Sequence, residues 1–294
     1  MALVHAGSEC GELLAVRGEP AGEVIGSGSC QLMDLLARPY EISDGDRQVL
    51  DLGEDWPSRW VTTWKVGGAD VACPVRDMGS LPVAGCEPVR RFSWRTTQRH
   101  RPGLQFLVGT GRHHGFESIA EQRLLLAVDF LGGLAGVLSQ PHRMRFLAVS
   151  GPMQHTPDFL IVTGAGTWLI DVRPAGQIEE ADRIKFAASA EAALACGWRY
   201  LVVTGWRPHV MTTLDTLASQ RRVLTDPLGA QPELLAAAAD GPVPFGELAA
   251  ATRCPAVARA HALHLIWHRR LVIDLAGPLT DETPVRHGAA RADR

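Results

Sequence analysis

The sequence predicts an α/β protein in which a mixed sheet is flanked by helices. Across residues 117–222, segments with helical apolar spacing alternate with short β-branched segments, in the order helix, three strands, helix, strand, helix. Hydrophobic residues make up 46% of the 294 residues and charged residues 21%, which excludes a mainly disordered chain. No apolar run approaches the roughly 18 to 20 residues of a membrane helix, so we expect no membrane partner.

Residues 1–85 are predicted to form an extension of irregular structure and short strands. Within it, residues 61–75 hold two β-branched segments separated by Gly67 and Gly68, a pattern typical of a hairpin. The N-terminus lacks the basic start and apolar stretch of a signal peptide. The six cysteines stand far apart without a C-x-x-C pair, which favours reduced thiols and a cytoplasmic protein.

Charge is distributed unevenly along the chain. Residues 1–86 contain 6 basic and 13 acidic residues, whereas residues 87–175 contain 10 basic and 6 acidic ones. Arginine alternates with aromatic residues across residues 86–115, and guanidinium groups match phosphate oxygens well. The candidate DNA-binding residues are Arg90, Arg91, Arg95, Arg99, Arg101 and Arg112. The alternative is a solvated loop in which arginine only balances charge.

The central elements follow from local patterns. Residues 117–133 have helical apolar spacing and end at a Gly-Gly pair, and residues 137–149 are predicted to be extended. Residues 158–172 form two apolar segments around a tight turn. A second helix ends before Gly197, a buried strand follows at residues 198–205, and a third helix covers residues 209–222.

The tight turn decides which side chains share a face. If Gly164-Ala165 is a two-residue type II′ loop, Thr163 pairs with Gly166 and Asp158 lies opposite Asp171. The period of two then puts Arg173 on the same face. Two adjacent carboxylates repel each other unless a cation lies between them, and oxygen ligands suit Mg²⁺ or Mn²⁺. The alternative is that Asp158 caps a strand while Asp171 and Arg173 form a surface pair.

A known family has a similar series of motifs. Pro157-Asp158, twelve residues, and Asp171-Val172-Arg173 resemble the PD-(D/E)XK nuclease motif. The surrounding segments resemble the TnsA-like endonuclease subunit of heteromeric transposases, most of all the actinobacterial type: Phe116-Glu117-Ser118, Glu121, Val128-Asp129-Phe130, Ser139-Gln140-Pro141 and His155-Thr156-Pro157-Asp158-Phe159. The likeness covers residues 86–206 well and continues weakly beyond them.

The resemblance implies a restriction-endonuclease-like core at residues 86–206 and a set of site residues. By position, the catalytic residues would be Glu121, Asp158, Asp171 and Arg173, of which the three acidic ones would hold Mg²⁺ or Mn²⁺. Second-rank candidates are Glu117, Gln140 and His155. Arg173 stands where the family has lysine; arginine can screen phosphate charge, but it cannot act as a base.

The resemblance also implies a function and partners. We expect a metal-dependent DNA endonuclease subunit that hydrolyses phosphodiesters at the ends of a mobile element. Its partners would be DNA, an integrase-like transposase subunit and an AAA+ regulator. Two alternatives stay open: a standalone restriction or repair nuclease of the same fold, and a catalytically inactive DNA-binding or scaffold protein. The substitution at Arg173 keeps the inactive alternative open.

Residues 207–294 are predicted to form a separate region. Their pattern indicates helix, turn, helix and a β-ribbon that begins near Arg270, which resembles the winged helix that TnsA-like proteins carry at this end. His261, His264 and His268 fall on one helical face. Because no carboxylate or cysteine accompanies these histidines, the pattern favours a polar or DNA-facing stripe, together with Arg259 and Arg269, over a metal site.

Overall fold

The structure is a computed structural model that describes residues 24–90 and 102–288. Within these ranges the α-helices are α1 (Leu32–Leu35), α2 (Asp44–Gln48), α3 (Trp56–Arg59), α4 (Ile119–Leu131), α5 (Glu180–Ala195), α6 (Val210–Ala218), α7 (Ala230–Ala237), α8 (Phe245–Ala250) and α9 (Pro255–Trp267). The three short helices α1 to α3 lie in the segment for which only irregular structure and strands were expected. In the described part of the chain, no helix is long and apolar enough to cross a membrane.

The strands alternate with these helices. They are β1 (Val61–Val66), β2 (Ala69–Pro74), β3 (Cys86–Glu87), β4 (Gly103–Leu107), β5 (Arg112–Phe116), β6 (Leu134–Ser139), β7 (His142–Ala148), β8 (Gly151–His155), β9 (Phe159–Thr163), β10 (Gly166–Val172), β11 (Arg199–Val203), β12 (Val243–Pro244), β13 (Leu271–Val272) and β14 (Pro284–His287). The chain therefore mixes helices with several small sheets.

The central sheet has the strand order β11-β10-β9-β6. β10 and β11 are parallel, whereas β9 is antiparallel to both of its neighbours, so the sheet is mixed as predicted. The prediction of three strands between α4 and α5 was wrong, because five strands form there. β7 and β8 leave the central sheet and join β1 and β2 in a second, antiparallel sheet. The missed strand, residues 151–155, contains no β-branched residue and gave no strand signal.

The predicted hairpin at residues 61–75 is confirmed. β1 and β2 pair in an antiparallel register from Val61↔Pro74 to Val66↔Ala69. Gly67 and Gly68 form the turn with φ angles of 56° and 82°, which only glycine adopts without strain. β1 also pairs with β7, so this N-terminal segment is built into the second sheet.

Two apolar clusters lie on opposite sides of the central sheet. On one side, Phe159, Ile161 and Ile170 pack with residues of α4. On the other side, Leu160 and Leu169 pack with the alanines of α5 and with tryptophans of the second sheet. This alternation along β9 and β10 follows from the period of two. It fixes which side chains at the ends of these strands face α5.

The C-terminal region has the predicted order of helices and strands. α8 and α9 precede β13 and β14, and β14 also pairs with β12 in a small antiparallel sheet. The prediction of a DNA-facing stripe is wrong for His261 and Arg269, which are only 3% and 8% exposed. The guanidinium of Arg269 instead lies over the ring of Phe130 on α4.

Candidate functional site: a carboxylate cluster at the β9–β10 ribbon

The predicted register of the ribbon is confirmed. Thr163 pairs with Gly166, and the pairing continues to Ile170 opposite Phe159. One further step places Asp171 opposite Asp158, on the side of the sheet that faces α5. The predicted turn type was wrong, because Gly166 has the positive φ angle, 126°, that a type II′ turn requires at Gly164.

Asp158 is the electrostatic centre of the cluster. Burial raises the pKa of its carboxyl well above the ordinary value, and the negative charges of Asp171 and Glu121 raise it further. Its Oδ2 accepts a 2.7 Å hydrogen bond from the backbone N–H of Val172. Asp171 and Glu121 therefore both lie close enough to Asp158 to repel its carboxylate.

Asp171 is held on both of its oxygens. A ring nitrogen of His155, Nε2, lies 2.8 Å from Oδ1, and the hydroxyl of Tyr200 donates to Oδ2 at 2.6 Å. Burial and the negative charge of Asp171 raise the pKa of Tyr200 well above its usual value, so this phenol stays protonated and donates. With 2% of its surface exposed, Asp171 is fixed inside the protein.

Glu121 is oriented by the start of α4. Ser118 caps the helix, and its hydroxyl donates to Oε1 of Glu121 at 2.8 Å. The backbone N–H of Glu117 donates to Oε2 at 2.8 Å. Glu117 also contributes to the raised pKa of Asp158, as the last of several causes that include Asp171 and Glu121. Both glutamates therefore remain candidates, with Glu121 the more buried one.

Arg173 is directed at α5. Its Nε lies 3.2 Å from Oδ2 of Asp182 and also donates to the carbonyl of Gln177 at 3.1 Å. Asp182 is shared with Lys185, whose Nζ lies 3.3 Å from Oδ1. Arg173 therefore forms an ion pair beside the carboxylate cluster.

Sequence reasoning missed two residues here, Tyr200 and Lys185. Tyr200 pairs with Leu169 across the parallel β10–β11 ladder and so shares its face with Asp171. Lys185 lies one helical turn before Ser189, whose hydroxyl is near enough to affect Tyr200. The available signal was composition, since only two of the 29 basic residues are lysine and Lys185 follows the motif.

Buried polar atoms without a partner surround the cluster. Gln140 has a φ of 47°, its N–H donates to the carbonyl of Asp158, and its Oε1 has no hydrogen-bond partner among the described residues. The Oγ1 of Thr156 and both ring nitrogens of His142 are equally unpaired there. Burial and the charge of His155 lower the pKa of His142 to about 3, so the ring is neutral. Such atoms are costly, and they are typical of places that bind water or a ligand.

The donor set fits a divalent cation in chemistry and charge. Three carboxylates and one amide oxygen are hard ligands of the kind Mg²⁺ or Mn²⁺ prefers, and a cation would relieve their repulsion. In residues 24–90 and 102–288, however, no group of three or more His, Cys, Asp or Glu side chains is already arranged around a metal position. Both oxygens of Asp171, both oxygens of Glu121 and one oxygen of Asp158 already have a hydrogen-bond partner, so a bound ion would have to replace or share some of these bonds.

The structure describes only two of the six arginines that are predicted to bind DNA. Arg90 and Arg112 are exposed, and Arg112 begins β5. The other four arginines of that set, Arg91, Arg95, Arg99 and Arg101, lie outside the described residues. The DNA-binding role of this segment therefore stays a prediction.

Comparison with known proteins adds no relative. No family model matches the chain, and no curated protein matches it at a significant level. An assignment of function rests on the carboxylates, their surroundings and the order of the motifs.

Proposed function

We propose that the chain is a divalent-metal-dependent DNA endonuclease. The observation that carries the proposal is the geometry of the ribbon, which places Asp158 opposite Asp171 on one face. Burial raises the pKa of Asp158, and the charges of Asp171 and Glu121 raise it further. If the cluster served only stability, the repulsion between its carboxylates would destabilise the fold without any compensating contact. A bound cation would instead attract these carboxylates, which favours a metal-binding role. Perturbed carboxyl groups of this kind are typical of functional sites.

Each residue has a role in this proposal. Glu121, Asp158 and Asp171 would hold the cation, which when bound polarises a phosphodiester and acidifies a water nucleophile. His155 and Tyr200 orient Asp171, as hydrogen-bonding partners commonly do for metal ligands. Arg173 and Lys185, which share Asp182, supply positive charge next to the phosphate.

The biological setting belongs to the same proposal. The motif order favours an endonuclease subunit that cuts DNA at mobile-element ends beside an integrase-like transposase, with an AAA+ regulator. The helices α8 and α9 with the β12-β14-β13 sheet would form the winged-helix-like region at residues 207–294. Supporting it, residues 87–175 carry a net positive charge. A standalone restriction or repair nuclease would use the same carboxylates without those partners.

A plasmid-nicking assay with Mn²⁺ tests the activity. Asp158→Asn should reduce nicking about a thousandfold or more, the scale for removing a principal electrostatic group. Asp51→Asn is the matched control. Asp51 forms an ion pair with Arg59, and neither residue belongs to the carboxylate cluster. Equal nicking by the two variants and the wild type would show that the cluster is not the active site.

A second candidate is an inactive DNA-binding or scaffold protein, favoured by the pairing of Arg173 with Asp182. Titration of the protein with Mn²⁺ in a calorimeter separates the two. A nuclease site gives a heat signal that Asp158→Asn removes, whereas an inactive site gives none in either protein.

A further inference from the structure

A basic cleft lies next to the carboxylate cluster and has no part in holding the metal. Its volume is about 370 Å³, within the range of pockets that take small ligands. It is bounded by the first half of α4, the ends of β10 and β11, and the start of α6. Crevices at the carboxyl ends of parallel strands are the usual ligand positions in open α/β sheets. The position of the cleft therefore favours ligand binding, and this argument does not depend on the carboxylates.

Two arginines give the cleft its charge. Arg123 of α4 and Arg207, which follows β11, both line it, and His209 lies beside them. Neither guanidinium has a side-chain partner within residues 24–90 and 102–288. No Asp or Glu is among the residues that line the cleft. Two unpaired arginines facing one cavity favour an anionic ligand, above all phosphate, whose oxygens match the guanidinium fork.

The cleft adjoins the proposed active site through the chain itself. Ala120, which lines the cleft, directly precedes Glu121, and Val172, which also lines it, follows Asp171. Because side chains alternate along β10, Val172 faces the α4 side while Asp171 faces α5. The cleft and the carboxylates nevertheless meet at the end of β10 and the start of α4, so a DNA strand that runs around this end of the sheet would place neighbouring phosphates at the two positions.

We propose that Arg123 and Arg207 bind a backbone phosphate of the DNA strand next to the phosphate that is cut. The proposal rests on the nuclease function and adds to it a binding subsite for the same strand. Each arginine supplies a charge-assisted contact that is independent of base sequence. The two arginines position the strand and do not contact the phosphate that is cut, so their loss is measured first as weaker DNA binding.

The test measures binding of the full chain to a fluorescein-labelled 30-base-pair duplex in EDTA, where no cleavage occurs. Arg123→Gln and Arg207→Gln should each raise Kd about tenfold and reduce the salt dependence of log Kd by about one phosphate contact. Arg145→Gln is the matched control, since Arg145 is an exposed arginine on β7 in the other sheet. A double variant that binds DNA as the control does would overturn the subsite.

Further measurements separate this proposal from the nuclease function. If the wild type binds DNA through both arginines but does not nick plasmid with Mn²⁺, the subsite stands and the nuclease function fails. If nicking depends on Asp158 while the double variant nicks and binds normally, the nuclease stands and the subsite fails. Submillimolar binding of inorganic phosphate or dTMP that both arginines control, without any effect on DNA binding, would assign the cleft to a free ligand and overturn the DNA proposal.

Discussion

Two groups of titratable side chains lie in this protein, and their hydrogen bonding differs. The histidines of α9 and of its C-cap have hydrogen-bond partners in the protein: a ring nitrogen of His264 bonds the carbonyl of Gln220, and one of His268 bonds that of Arg221. His261 contacts Gln231 and lies 3.7 Å from Asp226. These are the bonds of a structural element that ties α9 to the end of α6 and to α7.

The carboxylates near β9 and β10 also accept hydrogen bonds, yet the charges of Asp171 and Glu121 still repel that of Asp158. Asp158 accepts a hydrogen bond from a backbone N–H, but burial and then the neighbouring negative charges still raise its pKa. Unpaired polar atoms of Gln140 and His142 lie nearby. The comparison teaches that hydrogen-bond counts alone do not single out a candidate site, whereas unrelieved repulsion between buried groups does.

The largest expected difference between the groups is the sign of the stability change on mutation. Asp158→Asn removes the repulsion and keeps an acceptor for Val172, so the metal-free protein should melt a few degrees higher at neutral pH. His261→Ala removes a buried ring and its contact with Gln231 and should cost about 1 to 3 kcal/mol, without loss of nicking. Thermal unfolding in EDTA measures both, and a lower melting temperature for Asp158→Asn would contradict the conflict inferred at the carboxylates.

The pH dependence sharpens this prediction. Because the folded protein raises the pKa of Asp158, the folded state binds that proton more tightly than the unfolded chain does. The contribution to stability is therefore complete below the unfolded pKa, about 3.9, and is lost as pH rises through the folded value. In EDTA, wild type and Asp158→Asn should converge in melting temperature near pH 4 and separate as pH increases. Parallel curves would show that Asp158 does not titrate abnormally.

Metal loading should reverse the order of the two proteins. A ligand at a hundred times its Kd stabilises the folded state by about 2.7 kcal/mol, so saturating Mn²⁺ should raise the melting temperature of the wild type by several degrees. Asp158→Asn should show little change, while His261→Ala should respond as the wild type does. A Mn²⁺ shift of equal size in Asp158→Asn would place the ion elsewhere.

Tyr200 offers a smaller test of the same cluster. Tyr200→Phe removes the hydroxyl that donates to Asp171 and keeps the ring, so packing is preserved. Loss of such an orienting bond typically lowers metal affinity or activity 10- to 100-fold. We expect at least a tenfold loss of nicking and a higher Mn²⁺ concentration at half-maximal activity. Tyr40→Phe is the control, since Tyr40 packs edge-on against Phe186 and its hydroxyl makes no hydrogen bond with the described residues. Equal activity of both variants would show that the hydrogen bond from Tyr200 to Asp171 is not required for nicking.

Local rules account for what the sequence predicted well. The ribbon register followed from the length of the Gly164-Ala165 turn and the period of two, both of which act over a few residues. β8 could not be found in this way, because residues 151–155 contain no β-branched residue. The place of Tyr200 depends on the pairing of β11 with β10, from which α5 separates it in the chain. The period of two placed Arg173 on the face of Asp171 and the family resemblance gave it a role, but only the fold shows that it pairs with Asp182.

Arg173 provides the smallest expected effect. Lysine at this position keeps the positive charge and can still reach Asp182, so Arg173→Lys should nick DNA within about threefold of the wild type or faster, a change below about 0.7 kcal/mol. Arg59→Lys is the matched control, because Arg59 also pairs with a carboxylate, Asp51, outside the cluster. If Arg173→Lys folds normally but loses more than tenfold of the activity, the planar guanidinium itself is required. The site would then depend on a bidentate contact that the lysine of the family resemblance does not make.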